Sequence, residues 1–243
     1  MKKIFSLGLS SIFLLSLMIS PGLCQKDDEI LEKAIEALGG RKVLESIKDS
    51  TFTGTIEMIQ MGITGLMTMY QKEPNKMRMD GEIMGVAITT AFDGETAWMV
   101  NPQTGNAEEM PEKSAEEFKR DCLGNHAFLY PEKYGITYTE KGTEKIEDKD
   151  YLVLEQTFSD GHIKLNYIDP KTYLIYKIIE TSLNPMGVEV EAETFMTDYK
   201  KVDGAMIPYS HLVLHDGEEF MKINLTEVKF NTGLEDSMFR MSE

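Results

Sequence analysis

From Thr51 onward, apolar and polar residues alternate over long stretches, and a period of two confines such segments to strands with one dry and one wet face. Phe52, Gly54, Ile56 and Met58 alternate with Thr51, Thr53, Thr55 and Glu57. Met77, Met79, Gly81 and Ile83 alternate with Lys76, Arg78, Asp80 and Glu82, and Val188, Val190 and Ala192 with Glu189, Glu191 and Glu193. Turn chemistry punctuates these runs at Glu73-Pro74-Asn75, Asp93-Gly94, Asp160-Gly161, Asp169-Pro170, Asn184-Pro185, Asp203-Gly204 and Asp216-Gly217. Short turns between alternating runs predict an antiparallel sheet of ten or eleven strands.

Helical spacing is confined to three places. Leu31, Ala34, Ile35 and Leu38 share a face between an acidic start at Asp27 and a stop at Gly39-Gly40. Val43, Leu44 and Ile47 continue as a second short helix over 41–48. Ser114 to Glu117 has the spacing of a capping box, with Ala115, Phe118 and Cys122 following on one face. The stretch 125–135, with Phe128, Tyr130 and Tyr134, reads as an apolar loop. The expected fold class is therefore mainly β (α+β): one domain, a single curved antiparallel sheet with helices on its concave face.

The first 24 residues read as a secretory signal peptide. Lys2 and Lys3 precede an apolar stretch from Ile4 to Ile19, and Gly22 and Cys24 place small residues three and one before a cut at Gln25. The stretch is too short and serine-rich for a membrane span. Cys24 also admits a lipidated-cysteine reading, but Leu23 and Pro21 depart from that signal. The fold is then expected over 25–243, in the periplasm, with Cys122 as its one cysteine, a small core residue. The chain carries 41 acidic against 25 basic residues, a formal charge of −16, which disfavours broad contact with nucleic acid or an anionic surface.

Nothing in the residues points to catalysis. There is no Gly-x-Ser-x-Gly elbow, phosphate loop or His-Glu-x-x-His, and the four histidines are scattered. His211 and His215 share a strand face about 13 Å apart, too far for one metal to bridge. No metal and no cofactor is expected. The signal that remains is apolar: seven methionines lie in the 28 positions from Met58 to Gly85. Methionine fills gaps in ordinary cores, but it is flexible and polarizable and equally suits a compliant cavity wall.

Two linked motifs bear on that choice. "YQKEPNKMRM" (Tyr70 to Met79) is followed by "FDGETAWMVNP" (Phe92 to Pro102). Together they resemble the LolA-like periplasmic outer-membrane lipoprotein carriers at Lys72, Pro74, Asn75, Asp93, Gly94, Trp98, Asn101 and Pro102. "VDGAMIPYS" and "LEDSMFRM" resemble the wider outer membrane lipoprotein-sorting proteins. The resemblance implies an unclosed half-barrel of about eleven strands with a helical lid, whose interior shelters acyl chains crossing an aqueous compartment.

It further implies a monomeric carrier of lipoprotein or lipid acyl chains moving towards the outer membrane. Its partners would be an inner-membrane donor and an outer-membrane acceptor. A lipid-sensing or interaction module of the same fold is the alternative. Met58, Met67, Met69, Met77, Met79, Ile83, Phe92 and Trp98 are the expected cavity lining; which face of the strand from Leu66 to Gln71 lines it is open. One position departs: the family's carriers have arginine immediately before the turn proline, and this chain has Glu73. That charge reversal implies another lipid or acylated cargo.

Overall fold

Strands pair with their neighbours in sequence except at one break midway along the chain, and one long-range pairing joins the first strand to the last. The structure, a computed structural model, describes residues 24–241, with side chains from Glu29 onward. The expected leader lies outside the described residues apart from its last, Cys24, whose backbone opens the first helix. Helices α1 (Cys24–Ala37) and α2 (Arg41–Ser46) lead into β1 (Asp49–Met58), β2 (Ile63–Lys72), β3 (Lys76–Ile83), β4 (Val86–Phe92), β5 (Ala97–Val100) and β6 (Ala107–Glu109). Helices α3 (Glu112–Asp121) and α4 (His126–Leu129) follow. Then come β7 (Thr137–Ile146), β8 (Lys149–Thr157), β9 (Ile163–Ile168), β10 (Ile175–Leu183), β11 (Glu189–Val202), β12 (Ala205–His215) and β13 (Glu218–Phe230).

The result is one antiparallel sheet in the order β6-β5-β4-β3-β2-β1-β13-β12-β11-β10-β9-β8-β7. Strands β6 and β7 are its two edges and do not pair, so the sheet is an unclosed half-barrel; α3 and α4 carry the chain from one edge to the other. The strands number thirteen rather than eleven. One added strand, β6, is three residues long, and the turn between β3 and β4 is made by Met84 at φ 54. That is a left-handed position that Asn, Asp or Gly usually fills, so no turn is visible there in the residue types.

Antiparallel pairing sorts the loops onto two ends. Because Met58 pairs with Met221, the β1–β2, β3–β4, β5–β6, β8–β9, β10–β11 and β12–β13 turns share one end. Helices α1 and α2 sit at the other, where the Met206 N–H donates to Leu38 O at 2.9 Å and the Glu73 N–H to Lys48 O at 3.0 Å. There α1 and α2 bury Ile30, Leu31, Ala34, Ile35 and Leu44 against Leu154, Ile168, Ile175 and Ala205 on the inner sheet face. Helix α3 starts at Glu112 after Pro111, without a side-chain cap at its first turn. Its expected capping glutamate is engaged elsewhere: Glu117 accepts from Ser182 Oγ and, at 3.2 Å, from the Leu183 N–H. Residues 125–135 form α4 and a single turn of 3-10 helix over Pro131–Tyr134 rather than a loop.

Asp49, at the start of β1, ties the chain's last segment to the sheet. Its carboxylate accepts from the Thr232 N–H and Oγ1 and from the Gly233 N–H, at 2.6, 2.9 and 3.0 Å. Burial alone would push this carboxyl up, but the donors from Thr232, Gly233 and Leu234 outweigh it and hold the pKa below the ordinary value. A depressed folded pKa contributes stability above the unfolded value and loses it as pH falls. Asp49→Ala should therefore lower the unfolding free energy at pH 7 by about 2 kcal/mol. In urea titrations the deficit should shrink as the pH drops below about 4.

Candidate functional site: an apolar recess on the concave face

Alternation along β1 to β5 turns one set of side chains inward, and pairing aligns them in rows. One row runs Phe52, Met69, Met79, Thr90, Met99; the next runs Gly54, Met67, Gly81, Ile88. The second row is thick at Met67 and absent at Gly81, which leaves a recess. A Cβ added at Gly81 would meet nothing nearer than Leu66 O at 3.5 Å, so the site has room for a side chain that the sequence withholds. Beside it, Gly65 is needed for close approach, since a Cβ there would stand 2.8 Å from Ile83 Cγ1.

The recess holds a cavity of about 340 Å³ whose lining is wholly apolar. Four of the expected residues, Met58, Met67, Met79 and Ile83, line it, joined by Ile56, Met61, Ile63, Gly81 and Ile88. Ile56 and Ile88 follow from the same alternation once the register is known, whereas Met61 lies in the β1–β2 turn, where periodicity is silent. The register also settles the face of β2: Met67 and Met69 point inward, and Leu66 is exposed on the outside.

A second, wider groove of about 770 Å³ lies between Met99 and Met110, the start of α3 and the β10–β11 turn from Leu183 to Gly187. Met79 and Met99 flank Thr90 in one row, so a methionine wall connects recess and groove. Between the walls, Met69, Met77 and Phe92 pack against Ala97, Cys122, Met110 and Phe118 beneath α3. These three expected residues share the concave face but touch the helix rather than the open recess. Cys122 is fully buried, and that burial, with Asp121 adding to it, pushes its thiol far above the ordinary range.

The far side of the concave face is polar. Lys164 Nζ lies 2.7 Å from Asp121 and 3.2 Å from Glu180, His162 Nε2 contacts Glu180 at 2.8 Å, and Arg120 pairs with Asp160 at 2.6 Å. Burial opposes the Lys164 charge, but Asp121 and Glu180 hold its pKa above the ordinary value. These pairs fasten α3 to β9 and β10. Each charge is answered within the network, and among the described residues no three His, Cys, Asp or Glu side chains converge as a metal site. The His211 Nε2–H donates to Pro208 O at 3.2 Å, and His215 stacks on Phe220.

No protein-family model matches the chain, and no curated protein matches it. Solved structures do. A domain described as an outer membrane lipoprotein-sorting protein from Vibrio parahaemolyticus superposes with a TM-score of 0.60 at 18% identity, over 88% of this chain and 96% of that one. A DUF1329 family protein from Desulfovibrio piger gives 0.60 at 14% identity, over 88% and 97%. A LolA superfamily protein from Nitrosomonas europaea gives 0.59 at 15%, over 88% and 97%. The chain has a LolA-like fold.

Within this LolA-like fold, Lys72, Arg78 and Trp98 of the two linked motifs form one clamp on the outer sheet face. Trp98 is paired through Ala91 with Arg78, which places it on the face opposite the recess. It is 2% exposed, its Nε1–H donates to Phe239 O at 2.8 Å, and the Arg78 guanidinium lies 5.9 Å from its ring centre. Arg78 also donates to Met238 O, and Lys72 and Lys76 hold Asp236 at 2.6 and 2.9 Å. The expected role of Trp98 as cavity lining is thus corrected by one step of strand register. The "LEDSMFRM" segment is what it holds.

Glu73, the position that departs from the carriers, is half-buried at the helix end of the LolA-like fold, beside a cavity of about 560 Å³ lined also by Lys42, Lys48, His126 and Tyr130. Its Oε2 lies 3.2 Å from His126 Nε2 but has no partner in hydrogen-bond geometry. Burial lifts its pKa to about 7, against a smaller opposing pull from Lys48. Burial, with Lys133 and Lys48, lowers that of His126. A folded state that holds its proton more tightly than the unfolded chain loses stability as pH rises from 4.5 towards 7. Glu73→Gln should therefore raise the unfolding free energy by on the order of 2 kcal/mol at pH 8. Thermal unfolding should show no such gain at pH 4, where the wild-type carboxyl is protonated in both states.

Proposed function

We propose that this protein binds acyl chains of a lipid or an acylated molecule in the concave recess and carries them through the periplasm towards the outer membrane. The observation that carries the reading is the recess itself: an apolar cavity left open at Gly81, between flexible methionine walls. A core built only for stability would fill such a gap, because each void forfeits contact energy. Burying a methylene is worth about 0.8 kcal/mol, so ten methylenes would gain roughly 8 kcal/mol. The cavity sizes, about 340 and 770 Å³, lie within the usual range for small-molecule sites.

The likeness to structures described as lipoprotein-sorting and LolA superfamily proteins supports a binding role. The signal-like leader supports export. The action is binding rather than bond-making. Glu73 in place of arginine supports a cargo other than the usual lipoprotein.

Uptake of a fluorescent fatty acid tests the reading. Gly81→Leu should fill the recess, since space and backbone both admit the side chain, and should weaken uptake by about tenfold or more while leaving far-UV circular dichroism unchanged. Met79→Asp should weaken it similarly by placing a charge in the wall. Undiminished uptake in both variants would remove the recess as the site. Transfer of the bound lipid between vesicles separates a carrier from a sensing module, which would bind without transferring.

A further inference from the structure

Among the described residues nine large apolar side chains are exposed, and six of them, Met61, Met84, Val86, Ile163, Met186 and Val188, stand on or beside turns of the hairpin end. The two most exposed are tip methionines, Met186 at 82% and Met84 at 78%, and Met61 on the same end is 68% exposed. Both openings lie among them, since Met61 borders the recess and Met186 the groove.

Met84 is the telling position. It sits at φ 54 before Gly85, in a turn whose backbone favours Asn or Asp, and it touches no core cluster. Neither local conformation nor burial accounts for a methionine there. Another turn of the same end follows the rule, with Asp216 at φ 50 before Gly217. An apolar tip kept against the backbone's preference implies a contact outside the chain.

We infer that the hairpin end docks on an electrically neutral lipid surface, with the tip methionines and Val86, Val188 and Ile163 entering its apolar layer around the cavity mouths. The arrangement favours a membrane over a folded partner. The six side chains are spread over four separate turns instead of forming one continuous face, and a fluid surface accepts separate tips without shape complementarity. Charge selects the lipid: Glu57, Glu82, Glu189, Asp216, Glu218 and Glu219 flank these turns, against Lys113 and Lys222. Anionic headgroups would be repelled. The inference deepens the acyl-chain reading and rests on it for its purpose, since docking there would bring the cavities against lipid.

Flotation with phosphatidylcholine vesicles tests it, alongside fatty-acid uptake in the absence of vesicles. Met84→Asn suits the turn and Val188→Gln is neutral, and neither residue lines a cavity. The wild-type chain should co-float with phosphatidylcholine and less with vesicles rich in phosphatidylglycerol. The double variant should bind phosphatidylcholine vesicles about tenfold or more weakly, as expected for losing a few buried methylenes, with uptake unchanged. Wild-type protein that fails to float, or a double variant that floats as well as wild type, overturns the inference; the first result would leave the ring of tips to a protein partner. Flotation without any fatty-acid uptake by the wild type would sustain the docking and sink the cavity reading instead.

Discussion

One pairing is left unmade, and the rest of the architecture follows from it. Strands β6 and β7 end the thirteen-strand sheet without meeting. A closed barrel of this size could seal its interior with strands alone. An open one must cover its inner face and shield its edges by other means. Helices α1 and α2 do so at one end, burying their apolar stripe against β8 to β12, while α3 crosses the concave face from the β5 side to the polar side chains of β9 and β10. What these helices leave uncovered is the strip over β1 to β4, and that strip is where methionines and Gly81 stand among isoleucines and leave the recess unfilled.

The two halves of the concave face answer the same constraint differently. On β9 and β10, Lys164, Glu180 and His162 anchor α3 through compensated charges, which fix geometry at little net gain in stability. On β1 to β4 the wall is soft and the contacts non-directional, which suits a guest of variable length. Rigid anchoring beside a compliant wall is the division that the proposed acyl-chain binding requires. Asp49 and the Trp98–Phe239 clamp complete the frame from the outside, locking the chain's last segment to the strands that form the recess.

Much of this frame was legible in the residues because antiparallel strands advertise themselves twice, by alternation and by their turns. All seven turn signals fall at hairpin tips. The strand count fell short where Met84 makes a turn without turn chemistry and where β6 is too short to alternate. At the recess, Met58, Met79 and Ile83 were reachable from alternation alone, whereas Met67 waited on the register that decides the face of β2. Trp98 was not, because inward and outward positions differ by a single residue and only the β4–β5 register tells them apart. Gly81 escaped notice for a different reason: the absence of a side chain matters only once its neighbours are known. The polar network likewise draws on α3, β9 and β10, segments that no local pattern brings together.

The central claim is that the recess is an occupied site rather than a packing fault. Native mass spectrometry of the full chain recovered from the cell envelope under mild conditions tests it most directly. The account predicts a population carrying an adduct that tandem fragmentation identifies as bearing an acyl chain. Only the bare chain, both as recovered and after incubation with lipid vesicles, would contradict it.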